Sequence, residues 1–424
     1  MNSFTEAYKV PQLKKKMWLS FLIVSIMVLL TLVPIPCISH SGTVKLVGTW
    51  GDVGKIIDIC SLKALSNGSV VSLGIYPFLV ASIIMQFLTL IIPKLRNIAM
   101  QGEAGSGFIT KLTRYCSVVM DIIFAVLYCL GTHSLIDSRI SFWLGAGIVT
   151  LTVACGSAFC SWCVELLNTK GLGNGITIIL TAGIIRSIPP ALVSGSIINA
   201  VAAVVIGAAF IILAVFANLG EKKLRIIFSK RTVGMKQYGM QNQAIPLRVT
   251  QAGIMPIVYS FTLTLLPAAV IAMVVPNKES AVVRGFIDFK SSSVFYIFFV
   301  LFLVFFTYFF AMIQFNPVDT SNQIKQYGGY IQGIRPGKPT AQYLINTYNN
   351  LNMADAMYML LICAVPMLLS IIPALDGIWF LGIACAMTVG AVTESSIILS
   401  NGIKTADEQT KQTVKDARKN KYSK

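Results

Sequence analysis

The chain has 424 residues, of which 55% are hydrophobic and 12% are charged, and it carries a formal net charge of +17 at pH 7. Soluble domains carry about 25% charged residues, so this composition excludes an ordinary soluble protein and indicates an integral membrane protein. The cations are divided unequally among the loops between apolar segments, a distribution that argues against a nucleic-acid-binding protein.

Ten apolar segments are predicted to cross the membrane as helices, because lipid cannot hydrogen-bond to the backbone. Most approach the roughly 20 residues that a helix needs to span hydrocarbon. The predicted spans, in chain order, are residues 17–37, 73–92, 114–134, 143–165, 174–190, 195–219, 253–275, 294–315, 354–374 and 376–399. The first follows three lysines like a signal peptide, but its apolar run is long and lacks a small-residue cleavage site. We therefore predict that it is retained.

The loop charges predict the orientation of the chain. Counting loops alternately from a cytoplasmic N-terminus places most of the 34 Lys and Arg residues inside, so the N-tail (1–16) and the C-tail (400–424) are both predicted to be cytoplasmic. A basic cytoplasmic face also suits anionic lipid headgroups. Three segments are too long for simple turns, namely the outer segment 38–72 and the basic cytoplasmic loops 220–252 and 316–353.

An internal echo relates the two halves of the chain, residues 17–190 and 195–399. Gly74-Ile-Tyr-Pro77 opens the second span and Gly253-Ile-Met-Pro256 opens the seventh, so each is the second span of a five-span half. The two spans run in opposite directions by topology. Such an inverted repeat predicts a transport pathway at the interface of the halves.

The sequence offers few residues for catalysis. The two histidines, His40 and His133, fall in predicted outer loops, and no H-E-x-x-H, G-x-S-x-G or Walker A sequence occurs. Cys160 and Cys163 form a lone C-x-x-C within a predicted span, where cysteine usually behaves as a small hydrophobic residue. We therefore expect no enzymatic activity, no catalytic residue, no metal site and no cofactor.

Ionisable residues inside the predicted spans decide between a channel and an ion-coupled transporter. Asp121, Glu165, Arg186 and Glu394 are the candidates, and all lie within about two turns of a predicted helix end. This position favours snorkelling or a local partner over ion coupling. The membrane midplane is predicted to be almost wholly apolar.

Several motifs, in order and across most of the chain, resemble those of the SecY family, the channel subunit of the bacterial protein translocon. They are Leu73-Gly-Ile-Tyr-Pro77 with Ala81-Ser-Ile-Ile-Met-Gln86, Gln101-Gly-Glu103, Gly171-Leu-Gly-Asn-Gly-Ile176, Lys230-Arg231 with Gly234, Ile245-Pro-Leu247 with Gln251-Ala-Gly253, Phe315-Asn-Pro-Val-Asp319 and Gly333-Ile-Arg-Pro-Gly-Lys-Pro-Thr-Ala341. Similarity is weakest in residues 38–72 and after Ile371. The resemblance implies an all-α polytopic protein of the bacterial cytoplasmic membrane, with ten transmembrane helices in two pseudo-symmetric, inverted five-helix halves.

The resemblance further implies a pore with an apolar ring at its waist and a plug. The ring would comprise Ile75, Leu79, Ile176, Leu180, Val258 and Met387. The assignment of Met387 departs from the family pattern, because Trp379-Phe-Leu-Gly-Ile383 replaces the family's Gly-Gly-Thr/Ser lead-in. The plug would lie within about 55–70 and present Ile56, Ile57, Ile59, Leu62 and Leu65. An apolar constriction can gate by excluding water and ions, although the alternative is that these residues only pack helices together.

The partners follow from the same resemblance. The two basic loops would dock a SecA motor ATPase or the ribosome through Lys230, Arg231, Lys236, Arg335 and Lys338. Basic residues suit acidic protein surfaces and ribosomal RNA phosphates. The Gly- and Pro-rich segment 328–340 predicts an exposed turn that projects Arg335 into the cytoplasm, and the alternative is a solvated loop whose charge faces lipid. SecE-like and possibly SecG-like small membrane subunits, signal peptides and unfolded polypeptides are the other implied partners.

Two functional hypotheses follow. The first is a protein-conducting channel, as either the housekeeping channel or an accessory paralogue, that takes its energy from a partner. A signal peptide would enter at a lateral gate between spans 2 and 3 and spans 7 and 8. The second is a small-solute secondary transporter, which also explains ten spans and an inverted echo but predicts a polar substrate site near the midplane.

Overall fold

The computed structural model describes residues 8, 10–38, 50–99, 101, 103–135, 141–193, 197–228, 231–233, 236–238, 243–250, 252–274, 293–326, 328–369 and 381–422. The chain divides into two compact units. Unit 1 comprises residues 1–194, 262–295 and 391–424, and unit 2 comprises residues 195–261 and 296–390.

Helices dominate both units, as the apolar composition predicts. The helices are α1 (Pro11–Leu30), α2 (Gly51–Cys60), α3 (Tyr76–Ile91), α4 (Pro93–Ala99), α5 (Glu103–Gly131), α6 (Phe142–Lys170), α7 (Gly175–Val193), α8 (Ile197–Leu219), α9 (Met255–Val274), α10 (Ser293–Gln314), α11 (Pro317–Gln326), α12 (Lys338–Leu369) and α13 (Leu381–Tyr422). The strands are β1 (Glu221–Phe228), β2 (Arg231–Val233), β3 (Lys236–Tyr238), β4 (Gln243–Arg248) and β5 (Gly329–Ile331).

Each of the ten predicted spans coincides with a helix, although not every helix is long enough to cross a bilayer alone. Within the described residues, six helices have the required length and hydropathy, and α3 with α4 would make a seventh. Gly175–Ser187 and Val204–Leu219 are shorter apolar helices. The six long ones are Gly105–Gly131, Phe142–Lys170, Met255–Val274, Phe295–Gln326, Lys338–Leu368 and Gly382–Ile403. The count of ten membrane crossings therefore stays a prediction.

Two apolar helices end close to prolines, and only the first of them ends well before its predicted boundary. The first span was predicted to reach residue 37, but α1 ends at Leu30, and Pro34 instead pairs with Ser69 in an isolated β-bridge. The residue before a proline disfavours the helical region, which explains the early end. The same effect operates at Ile92, which is extended (φ −93°, ψ 108°) before Pro93, so that α3 and α4 meet at 104°.

The two long loops that were predicted to be cytoplasmic, 220–252 and 316–353, fold into one small subdomain of unit 2. Strand β1 of the first loop pairs antiparallel with β4 on one side and with β5 of the second loop on the other. One face of this sheet packs against α11 and the start of α12. The shared apolar core consists of Leu224, Ile226, Leu247, Ile324, Ile331 and Leu344. We call this small subdomain of unit 2 the cytoplasmic subdomain, after the side of the membrane on which the loop charges predict it to lie.

The core of the cytoplasmic subdomain provides a stability test. Leu344 of α12 is 1% exposed, and truncating a buried leucine to alanine costs about 2–5 kcal/mol. We expect Leu344→Ala to increase cleavage of the cytoplasmic subdomain in limited proteolysis of the purified protein. Leu361→Ala, at an exposed position of the same helix, is the matched control and should leave the cleavage rate unchanged. Equal protease resistance in both variants would contradict this core.

Candidate functional site

Four of the predicted ring residues lie buried in unit 1, two on α7 and two at the start of α3. Ile176 and Leu180 are 4% exposed and sit one turn apart on α7, with Gly183 continuing the same face. Ile75 precedes α3 and Leu79 lies one turn along it, where its N–H donates to the Ile75 carbonyl at 3.0 Å. Both are fully buried.

Residues 50–73 include the predicted plug of about 55–70, and we call them the plug segment. They lie against α7 and against Gly74, just before α3. A Cβ atom added at Gly183 of α7 would lie 2.1 Å from the carbonyl oxygen of Ile59. A Cβ at Gly74, beside Ile75, would lie 2.5 Å from the Ser61 Cα, and Gly74 also has a positive φ of 55°. Backbone can approach this closely only at glycine. The plug segment is therefore seated where α3 and α7 carry the predicted ring residues.

The predicted plug residues are placed by α2 and the turns that follow it. Ile56, Ile57, Leu62 and Leu65 are all at most 2% exposed, whereas Ile59 is partly buried. The predicted plug began at residue 55, which falls inside α2. The helix begins at Gly51, directly after Trp50, whose fully buried ring packs edge-on against Tyr128 of α5.

Asp58 organises the turn after α2. Its Oδ1 accepts a hydrogen bond from the Ser66 backbone N–H at 2.8 Å, and its carbonyl accepts one from the Lys63 N–H at 2.6 Å. Burial raises the pKa of the Asp58 carboxyl, and the hydrogen bonds from Ser66 oppose that shift. The turn is thus held together by its own hydrogen bonds. The Ile35 N–H also donates to the Gly68 carbonyl, which joins the turn to the chain after α1.

The remaining two ring residues, Val258 and Met387, are buried in unit 2. Val258 lies one turn after Ile254, and its N–H donates to the Ile254 carbonyl at 3.4 Å. Met387 lies one turn before Gly390 on α13, where an added Cβ would lie 2.1 Å from the Ile254 side chain. The faces of α9 and α13 that carry Val258 and Met387 are therefore turned towards each other.

The ionisable residues in the predicted spans are engaged by other side chains or backbone, as three of them illustrate. Glu165 of α6 forms a two-point ion pair with Arg114 of α5, one arm of which measures 2.6 Å from Nε to Oε2. The Ser161 hydroxyl donates to Asp121 at 3.5 Å. Arg186 donates to the Thr31 hydroxyl and to the Leu62 carbonyl. These contacts agree with local pairing rather than with a substrate site.

Arg335 is presented by a tightly braced turn of the cytoplasmic subdomain. The turn joins β5 to α12, and Ile334 packs against the subdomain core. The Thr340 hydroxyl donates to the Arg335 carbonyl at 2.8 Å. Gly333 and Gly337 have φ values of 82° and 104°, which side-chain-bearing residues rarely adopt. The guanidinium is therefore held out into solvent from a fixed backbone.

Lys338 is exposed in the first turn of α12, where the helix dipole is positive. A cation at a helix N-terminus is disfavoured by about 0.3–1 kcal/mol, and this cost is relieved when an anion binds there. Together with Arg335, this position would suit an acidic side chain or a phosphate.

The other predicted docking residues lie on the β2–β3 hairpin or outside the described residues. Lys230 lies outside them. The structure describes only the backbone of Arg231 and Lys236, on β2 and β3, where Arg231 pairs with Tyr238 and Lys236 pairs with Val233. Sequence reasoning missed a further set of cations on the solvent face of the sheet, namely Lys223, Arg225 and Arg248. The alternation of Leu224 and Ile226 with these cations was the signal that could have identified it.

The motif Phe315-Asn-Pro-Val-Asp319 proves to be a helix start. Asn316 Oδ1 accepts the Val318 N–H at 3.1 Å, Pro317 opens α11, and the Asn316 amide donates to Asp319 at 2.7 Å. Phe315 packs on Tyr348 of α12 with ring centroids 4.9 Å apart. The motif therefore serves to dock α11 into the cytoplasmic subdomain.

Comparisons with known proteins agree with these features. The SecY family model matches residues 69–396. Protein translocase subunit SecY of Streptomyces scabiei is 29% identical, over 93% of this chain and 96% of that protein. Two solved structures, each 18% identical and covering 92% of both chains, share the fold. They are a SecY channel whose plug domain is described as maintaining a membrane seal (TM-score 0.61) and Sec61 in a canine ribosome–channel complex (TM-score 0.57). The chain belongs to the SecY family.

Proposed function

We propose that this chain is the protein-conducting channel through which unfolded secretory proteins cross the bacterial cytoplasmic membrane and membrane proteins enter it. The observation that carries this proposal is the seat of the plug segment. Backbone of the plug segment contacts Gly183 and Gly74, beside Leu180 and Ile75 of the predicted ring. A solute transporter is not favoured, because the family match is to protein translocase subunits.

In the resting channel, the apolar ring and the plug would together exclude water and ions. The six ring residues are Ile75, Leu79, Ile176, Leu180, Val258 and Met387, and all are buried within their own unit. A constriction of branched aliphatic and methionine side chains can dewet when empty and yield to a passing chain of varied side chains. Opening would require the plug segment to leave its seat.

Energy for transport would come from a partner, since the sequence contains no Walker A motif for binding nucleotide. The cytoplasmic subdomain would dock a SecA-type motor or the ribosome through Arg335 and Lys338, together with Lys230, Arg231 and Lys236. The ribosome complex of the Sec61 relative supports this role. Both termini would lie in the cytoplasm, beside anionic lipid headgroups.

Small membrane subunits complete the proposed assembly. A SecE-like subunit, and a SecG-like subunit where one is present, would stabilise the channel. A signal peptide would enter from the side, between α3 and α5 of the first half and α9 and α10 of the second. Binding of the signal peptide would favour the open state of the channel over the closed one.

Reconstitution tests the proposed function. The chain would be placed in liposomes with a SecE-like subunit, a SecA-type motor and ATP, and an unfolded secretory precursor would be added. We expect part of the precursor to become protected from external protease in an ATP-dependent manner. Absence of protection with folded channel and cognate partners, or motor-independent uptake of a labelled small solute, would contradict the proposal.

A further inference from the structure

Arg186 is an arginine of α7 that reaches the plug segment. Its Nη1 atom donates to the carbonyl oxygen of Leu62 at 2.9 Å and to the hydroxyl of Thr31 at 2.8 Å. Leu62 belongs to the plug segment, whereas Thr31 follows α1. One guanidinium therefore bridges the plug segment to two parts of its surroundings.

Thr31, the acceptor outside the plug segment, is held in place by its own contacts. Thr31 is fully buried, and its hydroxyl donates at 2.7 Å to the Val28 carbonyl of α1. Its oxygen is therefore oriented to accept from Arg186. A charged donor makes stronger hydrogen bonds than a neutral one, so the contact with Thr31 anchors the arginine.

The backbone of the plug segment is strained at the point that Arg186 contacts. Leu62 and Lys63 have φ values of 57° and 62°, in a left-handed region that residues other than glycine rarely adopt. Such conformations persist only where surrounding contacts over-determine them. Within the turn, the Leu62 N–H binds the Ile59 carbonyl and the Lys63 N–H binds the Asp58 carbonyl. Arg186 supplies a contact from outside the turn.

We infer that Arg186 is a positioning residue that latches the plug segment in its seat, by holding the strained Leu62 carbonyl against α7 and the end of α1. This inference rests on the proposed channel function. When the plug segment leaves, the hydrogen bond from Arg186 to Leu62 breaks and the one to Thr31 remains. Arg186 therefore stays in position to bind Leu62 again when the channel closes. The Gly183 contact with Ile59, one turn earlier on α7, aligns the plug segment with this latch.

Two measurements on the channel with its partner subunit test the latch. The first is ion conductance of the resting channel in planar bilayers. The second is the rate at which N-ethylmaleimide modifies Cys60, read by mass spectrometry of the peptide that contains it. Cys60 ends α2 and is buried, and burial raises the pKa of its thiol to about 12, so the seated plug segment should react slowly.

We expect Arg186→Gln to raise both resting conductance and Cys60 modification at least several-fold. Arg186→Lys, which keeps a cationic donor, should restore much of the wild-type behaviour. Thr31→Val, which removes the anchoring hydroxyl at nearly constant volume, should shift both readouts in the same direction as Arg186→Gln but less. Arg114→Gln is the control, because Arg114 also lies in unit 1 and its guanidinium donates to Glu165 of α6. It should leave both readouts unchanged.

Wild-type conductance and wild-type Cys60 modification in Arg186→Gln would overturn the latch. Equal increases in Arg114→Gln would also overturn it, because they would indicate general loosening of unit 1. The proposed function fails separately, if the wild-type channel shows no ATP-dependent protection of a precursor. A latch defect leaves the precursor protected, so the two failures are distinguishable.

Discussion

Gly183→Ala is expected to unseat the plug segment and make the resting channel conduct ions. The added Cβ would lie 2.1 Å from the Ile59 carbonyl oxygen, a distance at which backbone must move because no flexible side chain can yield. Overpacking of this kind destabilises the closed channel by about 1–3 kcal/mol, which is enough to shift the population markedly towards the open state. Conductance of the reconstituted channel without substrate measures the effect.

Gly147→Ala is the matched control for this change. Gly147 lies inside α6, and a Cβ added there has no atom within 4 Å. Both changes improve helix propensity equally, so only the steric contact with the plug segment differs. If Gly183→Ala kept the resting conductance of the wild-type channel, the described seat of the plug segment would be incorrect.

Arg335→Glu is expected to abolish partner-driven translocation while the channel still inserts into the membrane. The substitution reverses a charge that the braced turn before α12 holds in solvent, and repulsion would replace attraction to an acidic or phosphate-bearing partner. ATP-dependent protease protection of a precursor measures transport. Detergent extraction with a thermal melt confirms that the variant is folded.

Lys325→Glu makes the same change of charge at an exposed position of α11 in the same subdomain. We expect it to retain most of the wild-type transport, because a single surface charge away from an interface acts only weakly. Equal loss in both variants would show that net charge rather than the Arg335 turn matters. Normal transport in Arg335→Glu would remove the docking role.

Local pattern was sufficient to predict the long apolar helices, and a proline effect explains the early end of α1. Continuous apolar runs identified α5, α6 and α9 because a membrane helix requires little more than length and hydropathy. The prediction for the first span was too long because hydropathy continued past Leu30, whereas the backbone conformation required before Pro34 ended the helix.

The cytoplasmic subdomain was missed because its strands are brought together from distant parts of the chain. Strand β5 pairs with β1 across about a hundred residues, and three-residue strands carry almost no pattern of their own. The motif containing Arg335 was identified correctly as an exposed turn, but its bracing by Thr340 depends on the position of α12. Sequence spacing contains no information on that position.

The close contacts around the plug segment were likewise beyond sequence reasoning. Glycine is frequent in membrane helices, so Gly183 and Gly156 gave no signal of backbone contact with Ile59 and Val70. Position in the chain predicted snorkelling or a local partner for Arg186 and could not distinguish the two, because its acceptors lie 124 and 155 residues away. Family resemblance suggested the ring and plug residues. Only the folded chain shows which of these residues lie next to each other within a unit.

Cross-linking of a translocating chain to α7 tests the central claim most directly. A photoreactive amino acid would replace Leu180, which is 4% exposed, or Ile185, which is 57% exposed on the same helix. A precursor would then be arrested midway by a folded domain at its end and the sample irradiated. A protein-conducting pore lined by Leu180 predicts strong cross-linking to the precursor from position 180 and little from position 185. Equal cross-linking from both positions, or none from position 180 while the precursor remains protease-protected, would contradict it.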